Sequence, residues 1–142
     1  MLFDPRQRWL IAERCWFIYD VITSAFEVPE TFHTEHPLLA EVAVVSGFLG
    51  LRTPIGSQGY LLDIHEEYGF QHYDLVIRSY SYNLLDSGQR SIIRADPLPH
   101  HRVDYKNRPL SAFPHHLHDR KGRITSFTGQ IMDFIKHAQR IR

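Results

Sequence analysis

Residues 60–95 run Tyr60-Leu-Leu-Asp-Ile-His-Glu-Glu-Tyr68, Gly69, His72-Tyr-Asp-Leu-Val-Ile-Arg-Ser-Tyr-Ser-Tyr-Asn-Leu-Leu85, Asp86-Ser-Gly88 and Gln89-Arg-Ser-Ile-Ile-Arg-Ala95. In the first segment Tyr60, Leu62, Ile64 and Glu66 alternate with Leu61, Asp63, His65 and Glu67, the period of a strand. In the second, Tyr73, Leu75, Ile77, Ser79 and Ser81 oppose Asp74, Val76, Arg78, Tyr80 and Tyr82. Asp86-Ser87-Gly88 has the composition of a hairpin turn, so Gln89–Ala95 is the returning strand. An antiparallel meander of three to four strands is expected within residues 40–96.

Working outward, Asp4-Pro5-Arg6-Gln7 opens a helix: Asp4 can cap, Pro5 suits the first turn and Gln7 can reach back to the cap. Leu10, Cys15, Ile18, Ile22 and Ala25/Phe26 continue a helical face. Pro29 and Pro37 mark residues 27–37 as a connector, which makes 1–37 a helical N-terminal extension. Glu41–Arg52 reads either as strand or, from Leu38 to Val45, as a short helix. Pro97, Pro99, Pro109 and Pro114 forbid regular pairing through most of 97–114, within a Pro/His-rich segment at 97–123. Ile131, Phe134, Ile135, Ala138 and Ile141 recur at helical spacing and predict a C-terminal helix over 127–141. The class is α+β in a single domain, the sheet packed with an N-terminal and a C-terminal helix.

Composition narrows the function. The chain has 142 residues, 43% hydrophobic and 13% aromatic, which suits a cored domain and excludes a disordered tail. Its apolar runs are far shorter than the ~20 residues of a membrane helix, so no membrane partner is expected. The opening residues lack the order of a signal peptide, and the single cysteine, Cys15, fits a reducing cytoplasmic setting as a buried small hydrophobe. The net charge of zero is split: residues 1–70 hold four Arg against ten Asp/Glu, and 71–142 hold twelve Lys/Arg against six Asp. Either the basic half faces nucleic acid, or the two halves neutralise one another. Trp9, Trp16, Phe17 and Tyr19 read as core, or, where exposed, as a homodimer surface.

Five histidines, His100, His101, His115, His116 and His118, fall within nineteen residues. They admit three readings. One is acid–base catalysis on a phosphodiester, with Arg94, Arg102 or Arg108 holding phosphate and Tyr80 and Tyr82 beside Arg78 stacking a base. Another is a metal site, since His116 and His118 would share one face of an extended chain. The third is structural, with imidazoles donating to loop carbonyls. Asp96 either orients an imidazole or forms an Asx turn before Pro97. Glu66 is either a general base or metal ligand near the histidines, or else lies at a solvated edge or partners Arg78 or Arg94 across strands.

The succession Arg78-Ser-Tyr80-Ser-Tyr82, Asp86-Ser-Gly88, Arg94-Ala-Asp96-Pro-Leu-Pro99-His100-His101 and Phe113-Pro114-His115-His116-Leu-His118 resembles the TumE-type toxins of bacterial and archaeal toxin–antitoxin systems. Pro97 stands where that family tends to have Asn, and the likeness spans roughly Tyr60 to His118. The resemblance implies a small α+β toxin that arrests growth, with a cognate antitoxin protein as partner and RNA as a plausible substrate. It carries over Arg94, Asp96, His100, His101, His115, His116 and His118.

The sequence therefore leads to a toxin with ribonuclease-like chemistry. The expected catalytic set is His115, His116, His118, His100, His101 and Asp96, and the expected nucleic-acid-binding set is Arg94, Arg78, Arg102, Tyr80 and Tyr82. No cofactor or metal is assigned. The alternatives are a non-catalytic module that binds nucleic acid or protein, and a metal-dependent hydrolase.

Overall fold

A computed structural model describes residues 2–141. Three helices, α1 (Pro5–Ala25), α2 (Glu30–Ser46) and α3 (Ile131–Gln139), accompany six strands: β1 (Phe48–Ile55), β2 (Tyr60–Gln71), β3 (Asp74–Leu85), β4 (Ser91–Asp96), β5 (His116–His118) and β6 (Ile124–Ser126). The strands form one antiparallel sheet in sequence order. The α+β class is as expected, with six strands rather than three or four. β5 and β6 have three residues each, too few to display an alternation, and they are strands because they continue the ladder from β4.

The capping box at Asp4 forms as the sequence dictates. Asp4 Oδ1 accepts the Gln7 N–H at 2.8 Å, and Gln7 Oε1 accepts the Asp4 N–H at 3.0 Å. Ile11, Cys15, Ile18 and Ile22 form the buried stripe of α1. Trp9, Trp16 and Phe17 remain partly exposed, which corrects their assignment to the core. The connector expected at 27–37 is also corrected, because α2 starts at Glu30 and runs through Pro37. Phe32, His36, Ala40 and Ala43 bury one face of that helix, and this packing outweighs the ladder bond that Pro37 lacks. Left-handed Gly47 ends it, so strand structure begins at Phe48 and not near residue 40.

The register places Leu51, Ile64, Tyr82, Ala95 and Leu117 side by side on one face. α1 and α3 cover this face, where Ile131, Phe134, Ile135 and Ala138 of α3 are buried. The opposite face carries a polar row, Arg52, Asp63, Asn83, Arg94 and His118, one residue from each of the first five strands. Three turns share one construction. Asp86, Asp104 and Asp119 each accept the N–H groups two and four residues on. The residue three along, Gln89, Asn107 or Gly122, adopts positive φ. No described helix is long and apolar enough to cross a membrane.

Candidate functional site

The site is built by the pairing of β4 with β5. Antiparallel partners share a face, and here Arg94 lies opposite His118 and Asp96 opposite His116. All four therefore project from the face turned away from α1 and α3. The segment after Asp96 turns at once: Asp96 Oδ1 accepts the Leu98 N–H at 2.9 Å, closing an Asx turn. This turn swings His100 and His101 back over the strand pair. Adjacent residues on a strand would point apart, but these two lie in a turn, and their ring centroids are 4.1 Å apart. Both rings sit 5.0 Å from that of His116, which is itself 5.0 Å from the ring of His118. One ring nitrogen from each of His100, His101, His116 and His118 falls within 4.8 Å of the others.

Burial grades across the group. His116 is fully buried, His101 and His118 are half-buried and His100 is exposed. His116 Nδ1 lies 3.1 Å from the Pro114 carbonyl oxygen and donates to it in the tautomer that satisfies both atoms. Its Nε2 is 3.5 Å from Asp96 Oδ1 and has no hydrogen-bond partner among the described residues. Arg94 Nη2 donates to His118 Nε2 at 3.3 Å, while Arg94 Nε lies 3.7 Å from Asp96 Oδ2. Burial, followed by the Arg94 guanidinium, pushes His118 down to about 4. Burial and the neighbouring His100 also hold His101 below the ordinary imidazole range. Both rings are thus neutral at physiological pH, with lone pairs to offer.

The remaining sequence candidates lie elsewhere. His115 faces the opposite side of the sheet from His116, as strand alternation requires, and its Nδ1 is 2.7 Å from the Tyr80 hydroxyl. Burial lowers its pKa, and its ring stacks on Tyr80 and fills the space beside Gly129. His115 is therefore not one of the converging group. Tyr80 and Tyr82 are buried on the helix side, so neither ring is available to stack a base. Arg78 is exposed but lies across Gly69, away from the histidines in the β2–β3 register. Arg102 is exposed on the loop next to His101 and packs its guanidinium on Phe113. Arg108 is held by Asp104 at 2.9 Å.

Glu66 fits neither of its two expected roles. It is buried on the helix side and bonded to Arg14, Tyr68 and Tyr82. The alternation had put it on the apolar face, but its partner Arg14 lies 52 residues away, with no local signal to identify it. Cys15 is fully buried, and burial pushes its thiol up to about 11, as suits a core residue and not a nucleophile.

The arrangement can do two kinds of chemistry. Imidazoles can accept protons, and four of them gathered together can surround a cation. Arg94, partly exposed beside them, can hold an anion such as phosphate. No family model, curated protein or solved structure matches the chain.

Proposed function

We propose that this chain acts on RNA as the toxin component of a toxin–antitoxin pair, with the histidine-lined end of the open sheet face as its reacting centre. The observation that carries the reading is the convergence of four imidazoles with Arg94 and Asp96 at one rim. Six of the seven positions through which the chain resembles the TumE-type toxins meet there, and His115 alone does not.

The chemistry follows from the groups present. Arg94, with a side chain 44% exposed, seats the scissile phosphate and offsets charge building on it. The ribose 2′-oxygen attacks the adjacent phosphorus as its proton passes to a neutral imidazole. The 5′-oxygen leaves with a proton returned from the cluster, giving a cyclic 2′,3′-phosphate and a 5′-hydroxyl end. Asp96 holds the loop that brings His100 and His101 over the strand pair.

The test is incubation of the purified chain with total RNA and with tRNA. Wild type should cleave, and Arg94→Ala should cleave about a hundredfold more slowly while remaining folded, the usual loss when a charge-stabilising donor is removed. Intact RNA from folded wild type, with or without added divalent metal, would overturn the reading. RNA binding that falls steeply with salt and shows no turnover would instead indicate a binding module.

A further inference from the structure

We infer that His100, His101, His116 and His118 bind one divalent transition-metal ion of the zinc class. The binding does not depend on an RNA substrate. It engages the four ring lone pairs, so the imidazole proton transfer proposed above belongs to the metal-free chain, and any part the ion plays in cleavage rests on the RNA reading.

Two independent observations carry the inference. The first is geometric. Four ring nitrogens already lie within 4.8 Å of one another. A tetrahedral ion with metal–nitrogen bonds of about 2.1 Å asks for nitrogen–nitrogen separations of about 3.4 Å. The remaining contraction falls on the side chains with room to move. His100 and His101 sit on an exposed turn, whereas His116 and His118 are fixed two residues apart on the same face of β5. An all-imidazole set with a nearby carboxylate and no thiolate suits zinc, nickel, cobalt or copper better than calcium or magnesium.

The second observation is the state of His116. With Nδ1–H given to the Pro114 carbonyl, Nε2 carries the lone pair. That lone pair is fully buried, has no donor among the described residues and faces the electron-rich Asp96 Oδ1 at 3.5 Å. Two acceptors opposed at this distance repel one another, and the nearby Arg94 guanidinium, 3.7 Å from Asp96 Oδ2, gives Nε2 no hydrogen bond. A metal ion held by Nε2 and facing the Asp96 carboxylate removes the conflict. A backbone carbonyl on the non-ligating nitrogen is also the support that metal-bound imidazoles usually have. The other resolution is a second proton on His116, paired with Asp96, and it predicts no metal binding.

The experiment uses the full untagged chain, stripped with EDTA and titrated with Co2+, whose visible d–d absorption reports coordination. The inference predicts saturation at one ion per chain and displacement by Zn2+. It further predicts at least a tenfold loss of affinity in the His100→Ala/His101→Ala double variant. That variant alters only the turn, so its melting transition without metal should match wild type. His118→Ala should lose affinity likewise, and His115→Ala should bind as wild type does. The absence of a saturable signal from folded wild type would overturn the inference, as would equal loss in His115→Ala and in the double variant. Saturable Co2+ binding with intact RNA would leave the metal site standing and remove the RNA reading. RNA cleavage by a chain that takes up no metal would do the reverse.

Discussion

On the helix side of the sheet, the buried Glu66 carboxylate receives four donors: Arg14 Nε and Nη2 at 3.0 and 2.8 Å, and the hydroxyls of Tyr68 and Tyr82. On the open side, the equally buried His116 has one ring nitrogen bonded and the other facing a carboxylate without a hydrogen bond. Both clusters sit in low-dielectric surroundings where an unmet polar group is costly. The first is complete within the chain, so its role is to fix how α1 lies on β2 and β3. The second leaves one buried ring nitrogen without a hydrogen bond among the described residues, and the proposed metal ion would meet it. A bare ring nitrogen alone does not set the second cluster apart, because Nδ1 of the buried His36 also lacks a hydrogen bond. His36 is packed among Trp16, Tyr19 and Phe32, whereas the bare Nε2 of His116 stands among three further imidazoles and a carboxylate.

The contrast breaks most visibly at Glu66. Glu66→Gln leaves the partly buried Arg14 guanidinium without its counter-charge and should cost about 3 kcal/mol of unfolding free energy, the lower end of the range for a broken buried pair. Urea denaturation checks this, and the joint change Arg14→Met/Glu66→Leu should recover only part of the loss, because it removes both charges but leaves the buried Tyr68 and Tyr82 hydroxyls without their acceptor.

Acid should weaken both sides of the sheet. Burial lowers His36, which lies between α1 and α2 with its Nε2 2.9 Å from the Cys15 carbonyl oxygen, and it lowers His118 to about 4. A depressed folded-state pKa means that the unfolded chain binds more protons, from the ordinary imidazole value of 6.5 down toward 4. The stability is present above that window and is lost as pH falls through it. The urea midpoint should drop over this range, and His36→Phe, placed among Trp16, Tyr19 and Phe32, should reduce the slope.

The smallest effect belongs to the pair that strand alternation sends away from the open face. Tyr80→Phe removes the 2.7 Å bond to His115 and should cost about 1 kcal/mol. It should leave Co2+ affinity unchanged. A loss of affinity there would mean that the two faces are coupled through the His115–His116 backbone.

Legibility followed the range of the interaction. The Asp4 capping box, the Asp86 turn and the Ile131–Ala138 stripe are local patterns, and each appears where the sequence placed it. Pro37 misled because the packing of Phe32, His36, Ala40 and Ala43 holds α2 together across it. The histidine segment was visible as composition, but its membership was not. His115 leaves the group by alternation, and His100 and His101 join through the turn at Asp96. Neither follows without knowing that Asp96 pairs with His116 across a nineteen-residue loop. Tyr80 and Tyr82 looked like a base-stacking strand because alternation does not say which face the helices will cover.

The central claim is that the open face does the work and the helix face holds the fold. It is tested most directly by inducing expression of wild type and of His100→Ala/His101→Ala in bacterial cells lacking an antitoxin, with the purified proteins melted in parallel. The account predicts growth arrest by wild type, its loss in the variant, and melting transitions that agree within about 0.5 kcal/mol of stability, as for substitutions on an exposed turn. Arrest that persists in the folded variant, or wild type that leaves growth untouched, would contradict it.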